Sequence, residues 1–489
     1  MWRSKRKPKE IVWQPDKLIR TPAQLQSPPA TAHTRHLLLI MVTITGILGL
    51  LVLVVWLVAS GLLNHNFQSP PNPELSFVAQ KLPVNSVDQA RAEDLAQRYM
   101  NALLTRQYNT MWSLLNPEKR SQWPNQKVFA TFMQVRFQHY TLQNFTTGNA
   151  NILTYWVNPE TMTTYKSVIE LPISLHFHPD QVLQRQSLLP PEDLQPDRVF
   201  RNLPFIIQTT GPHGLATQWS ILEGGPADLE APILPPLKPL NPAIRVPILM
   251  YHHVSNLPQT NLLDLSLTVT PARFEAQMNY LKARGYHTIT FNQMFDALYY
   301  NGPLPPHPLI LTFDDGYEDV YHFALPILQS HGFSGMFYII TGKVGQPDYM
   351  SWPEVQNLLT AGMQIGSHTV HHISLAWIVI GDPKLTQEEL QQSQAALQMR
   401  LDIPIQQFCY PSGEPYRNGT LLMQQRIAAM LAADGYVGAT TDPGRTGIIQ
   451  DGATPFALLR IRVDGRESLG TFTGIMDSIL PLLTPTSTK

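Results

Sequence analysis

Residues 37–63 contain no charged side chain and read LLLIMVTITGILGLLVLVVWLVASGLL. At 1.5 Å per residue this run makes a helix of about 40 Å, longer than the ~30 Å hydrocarbon core of a bilayer. A helix apolar on every side over that length belongs in a membrane, so the run predicts one transmembrane helix. Eight Lys or Arg and two Asp or Glu precede it in residues 1–36, and the next charge after it is Glu74. The positive-inside rule then predicts a single-pass plasma-membrane protein with residues 1–36 in the cytoplasm and the rest outside. A cleaved signal peptide is the competing reading, but its apolar region is usually about 7–15 residues long.

Composition limits what the exported part can be. Of 489 residues, 43% are hydrophobic, enough for a sizeable core and too many for a disordered chain. Lys and Arg number 35 against 36 Asp and Glu, so a nucleic-acid partner is not expected. A single cysteine rules out an intrachain disulfide and a cysteine-rich metal cluster. Prolines punctuate the chain and divide it into segments. After the 37–63 anchor come a spacer at 64–79, a first unit at 80–225, a proline-rich linker at 226–242, a second unit at 243–483 and a tail at 484–489.

The first unit reads as helices followed by strands. Helical spacing covers 86–104, 108–115 and 123–140, and strand-like runs cover 152–157, 167–177, 199–208 and 218–222. That order predicts an α+β layer. Tyr108, Met111, Trp112, Leu114 and Leu115, with the closing strand at Trp219, resemble the NTF2-like domains that precede enzymatic domains in some envelope proteins. No catalytic constellation is visible in it. His176 and His178 flank Phe177 in a strand-like run and read as surface residues.

The second unit alternates short apolar strands with helices, which predicts an α/β fold with a parallel sheet, a barrel with its chemistry at the C-terminal strand ends. The run 309–313 (LILTF) ends at Asp314-Asp315-Gly316-Tyr317. Adjacent carboxylates at a strand end point in different directions, so one can hold a metal while the other faces a substrate. Further on, 367–372 reads SHTVHH. His368 and His372 are four apart and can converge on one helical face, as a two-imidazole metal site requires.

These two stretches resemble the first two motifs of the polysaccharide deacetylase family, the NodB-homology domain of carbohydrate esterase family 4. The resemblance extends over 243–483 and implies a distorted (β/α) barrel that removes N-acetyl groups from amino sugars of an acetylated polysaccharide. It implies that Asp315, His368 and His372 hold a divalent metal, usually zinc, and that Asp314 is the general base. The run 408–413 (FCYPSG) is similar to the third motif and implies that Tyr410, Pro411 and Gly413, with Tyr317, line the substrate. An arginine that often steadies the base there is replaced by Cys409, and Arg460 is its expected substitute. The usual late Leu-x-His-Asp is absent. The opening 247–254 (PILMYHHV) instead resembles the subgroup that includes poly-N-acetylglucosamine deacetylases, in which a first-strand histidine is the general acid. His252 and His253 face opposite ways along a strand, and His252, directly after Tyr251, is preferred. The run 435–444 resembles the same subgroup and is expected to form one wall of the sugar groove. Esterase activity on O-acetyl groups, another metal-dependent C–N hydrolysis and a non-catalytic glycan-binding scaffold are the alternatives. No oligomeric state follows from the sequence.

Overall fold

A computed structural model describes residues 80–482 apart from 138–139, 180–197, 212, 214–215, 217, 224–238, 257–260 and 443–446. The basic segment, the 37–63 run, the 64–79 spacer, most of the proline-rich linker and the tail lie outside the described residues. Among the described residues no helix is long and apolar enough to cross a membrane.

The first helix of the first layer, Ser86–Leu104, is capped by the Asn85 side chain, which accepts from the amides of Val87 and Asp88. Its inward stripe of Ala92, Leu95, Ala96, Tyr99, Met100 and Leu103 is buried. Shorter helices follow at Tyr108–Leu114, Pro117–Ser121 and Gln126–Phe137. The six strands are β1 (Lys81–Pro83), β2 (Tyr140–Thr147), β3 (Asn151–Val157), β4 (Thr164–Pro179), β5 (Arg198–Thr210) and β6 (Gln218–Glu223). They form an antiparallel sheet in the order β1-β3-β4-β5-β6, with β2 on β4. Leu171, Ile173, Leu175 and Phe177 of β4 are buried against the helices. His176 and His178 lie on the other face, His176 half-buried and His178 exposed. The α+β expectation is met, but the helix expected over 123–140 stops at Phe137 and Tyr140 opens β2. A bulge between Leu142 and Asn144 breaks the two-residue alternation that would have announced this strand.

The second layer contains β7 (Ala243–Arg245), β8 (Ile248–Tyr251), β9 (His253–Val254), β10 (Thr268–Val269), β11 (His287–Thr288), β12 (Pro308–Phe313), β13 (Met336–Ile339), β14 (Gln364–Ser367), β15 (Gln407–Cys409), β16 (Gly438–Thr440), β17 (Ile449–Asp451) and β18 (Ile461–Arg462). Eight of these form one parallel sheet in the order β16-β15-β14-β13-β12-β8-β18, with β11 also on β12. All six residues of β12 are buried, as a strand covered on both faces requires. Between the strands the chain crosses over through helices such as Pro271–Ala283, Phe291–Tyr300, Trp352–Thr360 and Pro383–Leu401. Capping boxes at Thr290/Gln293 and Ser351/Glu354 start two of them. The sheet curls until its ends meet: the Thr441 amide donates to the Leu458 carbonyl and the Leu458 amide to the Ala439 carbonyl, both at 2.9 Å. The result is a curled parallel half-barrel, which fits the distorted (β/α) barrel expected, and its C-terminal strand ends gather the candidate site.

An ion pair between buried Arg136 and half-buried Asp296 ties the two layers together. Arg136 Nη1 donates to Asp296 Oδ2 at 2.8 Å, and its guanidinium lies over the rings of Phe132, Phe137 and Tyr300. Removing Arg136 leaves the partly exposed Asp296 carboxylate without its partner. Arg136→Met should therefore cost roughly 1.5–3 kcal/mol of stability, read as a lower urea midpoint. A midpoint within experimental error of the parent's would show that the pair does not hold the layers.

Candidate active site

Asp314 and Asp315 follow the last residue of β12, and the backbone sends their carboxylates apart. Asp315 has φ 73° and Gly316 φ 79°, so two left-handed residues in succession turn the chain sharply. A Cβ on Gly316 would come within 3.2 Å of Ile339 Cδ1. The left-handed turn is what favours glycine there, with the Ile339 side chain adding a tight contact.

The Asp314 carboxylate meets Arg460, just before β18. Arg460 Nη1 donates to Asp314 Oδ1 at 2.7 Å and Nη2 to Oδ2 at 2.8 Å, the planar fork matching the planar carboxylate. The other donors of the guanidinium are also used. Nε donates to the Thr441 carbonyl at 2.9 Å, Nη1 to Thr312 Oγ1 at 3.1 Å and Nη2 to Cys409 Sγ at 3.2 Å. Cys409 Sγ in turn lies 3.5 Å from Asp314 Oδ2. Burial opposes ionisation of Asp314, but Arg460 outweighs it and holds the carboxyl below its ordinary value of 3.8. Asp314 is thus a buried carboxylate held ionised and fixed in orientation.

Asp315 turns toward the two histidines. Its Oδ1 lies 3.3 Å from His368 Nε2 and 3.3 Å from His372 Nε2. That oxygen is buried and has no hydrogen-bond partner among the described residues. His368 Nδ1 donates to the Cys409 carbonyl at 2.8 Å, so in the neutral ring it is Nε2 that carries the lone pair facing Asp315. One carboxylate oxygen and two imidazole nitrogens that converge without satisfying one another are the donor set of a divalent cation, and these residues fit one. Burial opposes ionisation of Asp315 as well, and the adjacent imidazoles outweigh it, keeping the carboxylate negative. Asp314, His368 and Cys409 also lie close enough to share an ion. They fit less well, because both Asp314 oxygens are already engaged by Arg460.

The helical face expected for His368 and His372 is not what forms. Residues 368–372 are a loop after β14, with Thr369 at φ 65° and His372 at φ 57°. Two left-handed residues, rather than one helical turn, bring the imidazoles within 4.9 Å of each other, centroid to centroid. The His372 amide donates to Thr369 Oγ1 and closes the loop.

His252 lies between β8 and β9 with its Nε2 3.9 Å from Asp314 Oδ2. Burial pushes its imidazole below the ordinary value of 6.5, against the opposing charge of Asp314. His253 points elsewhere: Nδ1 pairs with Asp319 Oδ2 at 2.7 Å and the ring stacks on Tyr317 at 3.7 Å. Tyr317 is half-buried beside Asp315 and packs against Tyr349, so it lies at the mouth of the site. The third-motif residues do not. Tyr410 is buried and its hydroxyl donates to the Phe456 carbonyl at 3.0 Å, while Pro411 and Gly413 are buried too. All three are buried, where the resemblance implied residues that line the substrate. Tyr436 of the expected groove wall is likewise buried, its hydroxyl on the Leu390 carbonyl. The contributions of Thr312 and Thr441 to the Arg460 cradle went unread in the sequence, since threonines at strand ends carry no distinguishing signal.

Known proteins share this part of the chain. The family model described as polysaccharide deacetylase matches residues 301–430, which include both the Asp-Asp pair and the His368–His372 loop. YxkH of Bacillus subtilis (strain 168), which bears the provisional name of a polysaccharide deacetylase, is 29% identical over 235 residues. These are 48% of this chain and 77% of that protein. The poly-beta-1,6-N-acetyl-D-glucosamine N-deacetylase of Staphylococcus aureus (strain MSSA476) is 30% identical over 117 residues, 22% of this chain and 39% of that protein. Among solved structures, the Streptococcus pyogenes deacetylase PplD in complex with acetate is 26% identical. It matches 48% of this chain and 98% of that one, with a TM-score of 0.41. With the matched segment containing the motifs from which the site is built, this chain carries a polysaccharide deacetylase domain.

Proposed function

We propose that the chain is a membrane-anchored, extracytoplasmic, metal-dependent enzyme that removes N-acetyl groups from an amino-sugar polysaccharide of the cell surface or wall. One observation carries the reading: a base held ionised by Arg460 stands beside a convergent Asp-His-His donor set, with His252 close to the same base. A polymer related to poly-β-1,6-N-acetylglucosamine is the first substrate to try, because relatives bear that name. The anchor rests on the uncharged 37–63 run and the basic residues before it. We read the 80–225 layer as an NTF2-like module on the way from anchor to barrel.

Asp315, His368 and His372 would hold the cation, zinc by the resemblance. When bound, it would supply Lewis acidity toward the acetamide oxygen. The rest of the chemistry belongs to side chains of the chain itself. Asp314 accepts the proton of the attacking water, and Arg460 keeps that carboxylate charged and aimed. His252 Nε2 delivers a proton to the departing amine. Tyr317, at the mouth, contacts the sugar. The experiment is acetate release from N-acetylglucosamine oligomers and from acetylated xylan, with added zinc and with chelator. Release from the first, abolished by chelator, supports the reading; release from xylan alone would make the protein an O-acetyl esterase; release from neither would leave a scaffold.

The acid can be identified by pH. His252 must carry a proton when the amine leaves, and burial lowers its pKa. The rate kcat/KM should therefore fall as pH rises through a limb on the acid side of 6.5. His252→Ala should remove that limb and cost about 10²–10⁴-fold in kcat/KM. His253→Ala should keep it, since that ring is committed to Asp319 and Tyr317. A profile unchanged in His252→Ala and flattened in His253→Ala would reverse the roles.

A further inference from the structure

The loop 368–372 presents its two imidazoles from a backbone that residues other than glycine adopt reluctantly. Thr369 and His372 are both left-handed, and so is Asp315 opposite them. Non-glycine residues in that region are strained, so the surroundings must hold the loop in place. Two supports are visible. On one side the Thr341 amide donates to the Thr369 carbonyl at 3.1 Å and the Gly342 amide to the Val370 carbonyl at 2.9 Å. A Cβ on Gly342 would come within 2.5 Å of that Val370 oxygen, so only glycine permits the approach. On the other side stands Glu389, from the helix Pro383–Leu401.

Glu389 is 3% exposed. Its Oε2 accepts from the amides of Val370 and His371, both at 3.0 Å, and its Oε1 takes His371 Nδ1 at 2.6 Å. A buried carboxylate with three N–H donors is charge-assisted and geometrically determined. All three donors belong to the segment between His368 and His372. We infer that Glu389 is the positioning residue of the Asp315–His368–His372 centre, clamping the loop so that both imidazole Nε2 atoms face Asp315. This rests on reading those three residues as a metal centre, and it adds a residue outside the motifs to what makes the centre bind. The clamp touches neither ligand side chain; it acts through the backbone between them.

Glutamine is nearly the same size but brings an N–H₂ group toward amide donors, so Glu389→Gln forfeits part of the clamp without opening a cavity. The test uses the full chain. Zinc affinity is measured by competition with a chelating indicator, and the cobalt-substituted protein gives the ligand-field spectrum. Outer-shell residues of metal sites typically set affinity by about 10–100-fold. Glu389→Gln should weaken zinc by that factor and change the cobalt spectrum, and Glu389→Asp, which keeps the charge but retracts it, should recover part of both. Zinc affinity within threefold of the parent and an identical cobalt spectrum in the folded Gln variant would overturn the clamp. Should that variant not fold, hydrogen exchange on the unaltered protein decides. The Val370 and His371 amides should be protected without metal about as well as β14, and exchange at open-loop rates would overturn the assignment. A parent protein that binds neither zinc nor cobalt would sink the metal centre itself, an outcome distinct from an intact centre indifferent to Glu389.

Discussion

Asp314→Asn should lower kcat by about 10²–10⁴-fold, the usual contribution of a positioned general base, while zinc remains bound one to one. The reason for expecting both at once is the divergence of the two carboxylates. Asp314 spends both oxygens on Arg460, whereas Asp315 Oδ1 faces His368 and His372 together. Asparagine is nearly isosteric and can still accept from one arm of the guanidinium. It cannot take a proton from water, and it leaves Arg460 with its charge unmatched in a site where that side chain is 1% exposed. Some loss of stability should accompany the loss of rate, so turnover is to be measured well below the variant's unfolding midpoint and zinc by elemental analysis after dialysis. Zinc lost from the folded variant would mean that Asp314 is a ligand and that the two carboxylates have been assigned the wrong way round.

The sequence makes part of this arrangement legible and hides the rest, for physical reasons. Asp314 and Asp315 could be read because they end an uninterrupted apolar run, and a buried parallel strand looks like that run. The histidine pair could be read as a pair, but its shape could not. A spacing of four fits one helical turn, and it fits equally well a loop with two left-handed residues, which only neighbours such as Gly342 and Glu389 enforce. Glu389 itself was invisible because it follows Gln387 and Glu388 in a polar stretch. Only its register with buried Thr386, Leu390, Ser393 and Leu397 turns it inward. For Tyr410, Pro411 and Gly413 the motif could be read but their burial could not: the Tyr410 hydroxyl is spent on the Phe456 carbonyl, a partner far along the chain. In the first layer, β3, β4, β5 and β6 were visible as strand-like runs, and the three-residue β1 and the bulged β2 were not.

Arg460→Met should invert the pH dependence of stability in the metal-free protein. In the parent, burial raises the pKa of Asp314 but Arg460 more than compensates, so the folded value lies below the ordinary 3.8. A carboxyl depressed on folding contributes stability that is fully present above the unfolded pKa and lost as pH falls through the folded one. Methionine fills much of the space and removes the charge, leaving burial as the dominant influence. The folded pKa of Asp314 then rises above the unfolded value. Its contribution changes sign: the variant should be destabilised as pH rises above about 4 and should regain stability on acidification. Near neutral pH the stranded carboxylate should cost roughly 3–5 kcal/mol, the cost of breaking a buried pair from one side. The same shift should carry the acidic limb of the pH–rate profile upward, because Asp314 must be ionised to act as a base. Urea midpoints of parent and variant at pH 4 and pH 7 give the test. A deficit that is smaller at pH 4 than at pH 7 is the expected outcome. An equal deficit at both would reduce Arg460 to a packing residue and leave the base without its tether; the cysteine at position 409, 3.2 Å from the guanidinium and 3.5 Å from the carboxylate, would then be the remaining side chain in contact with Asp314 from that side.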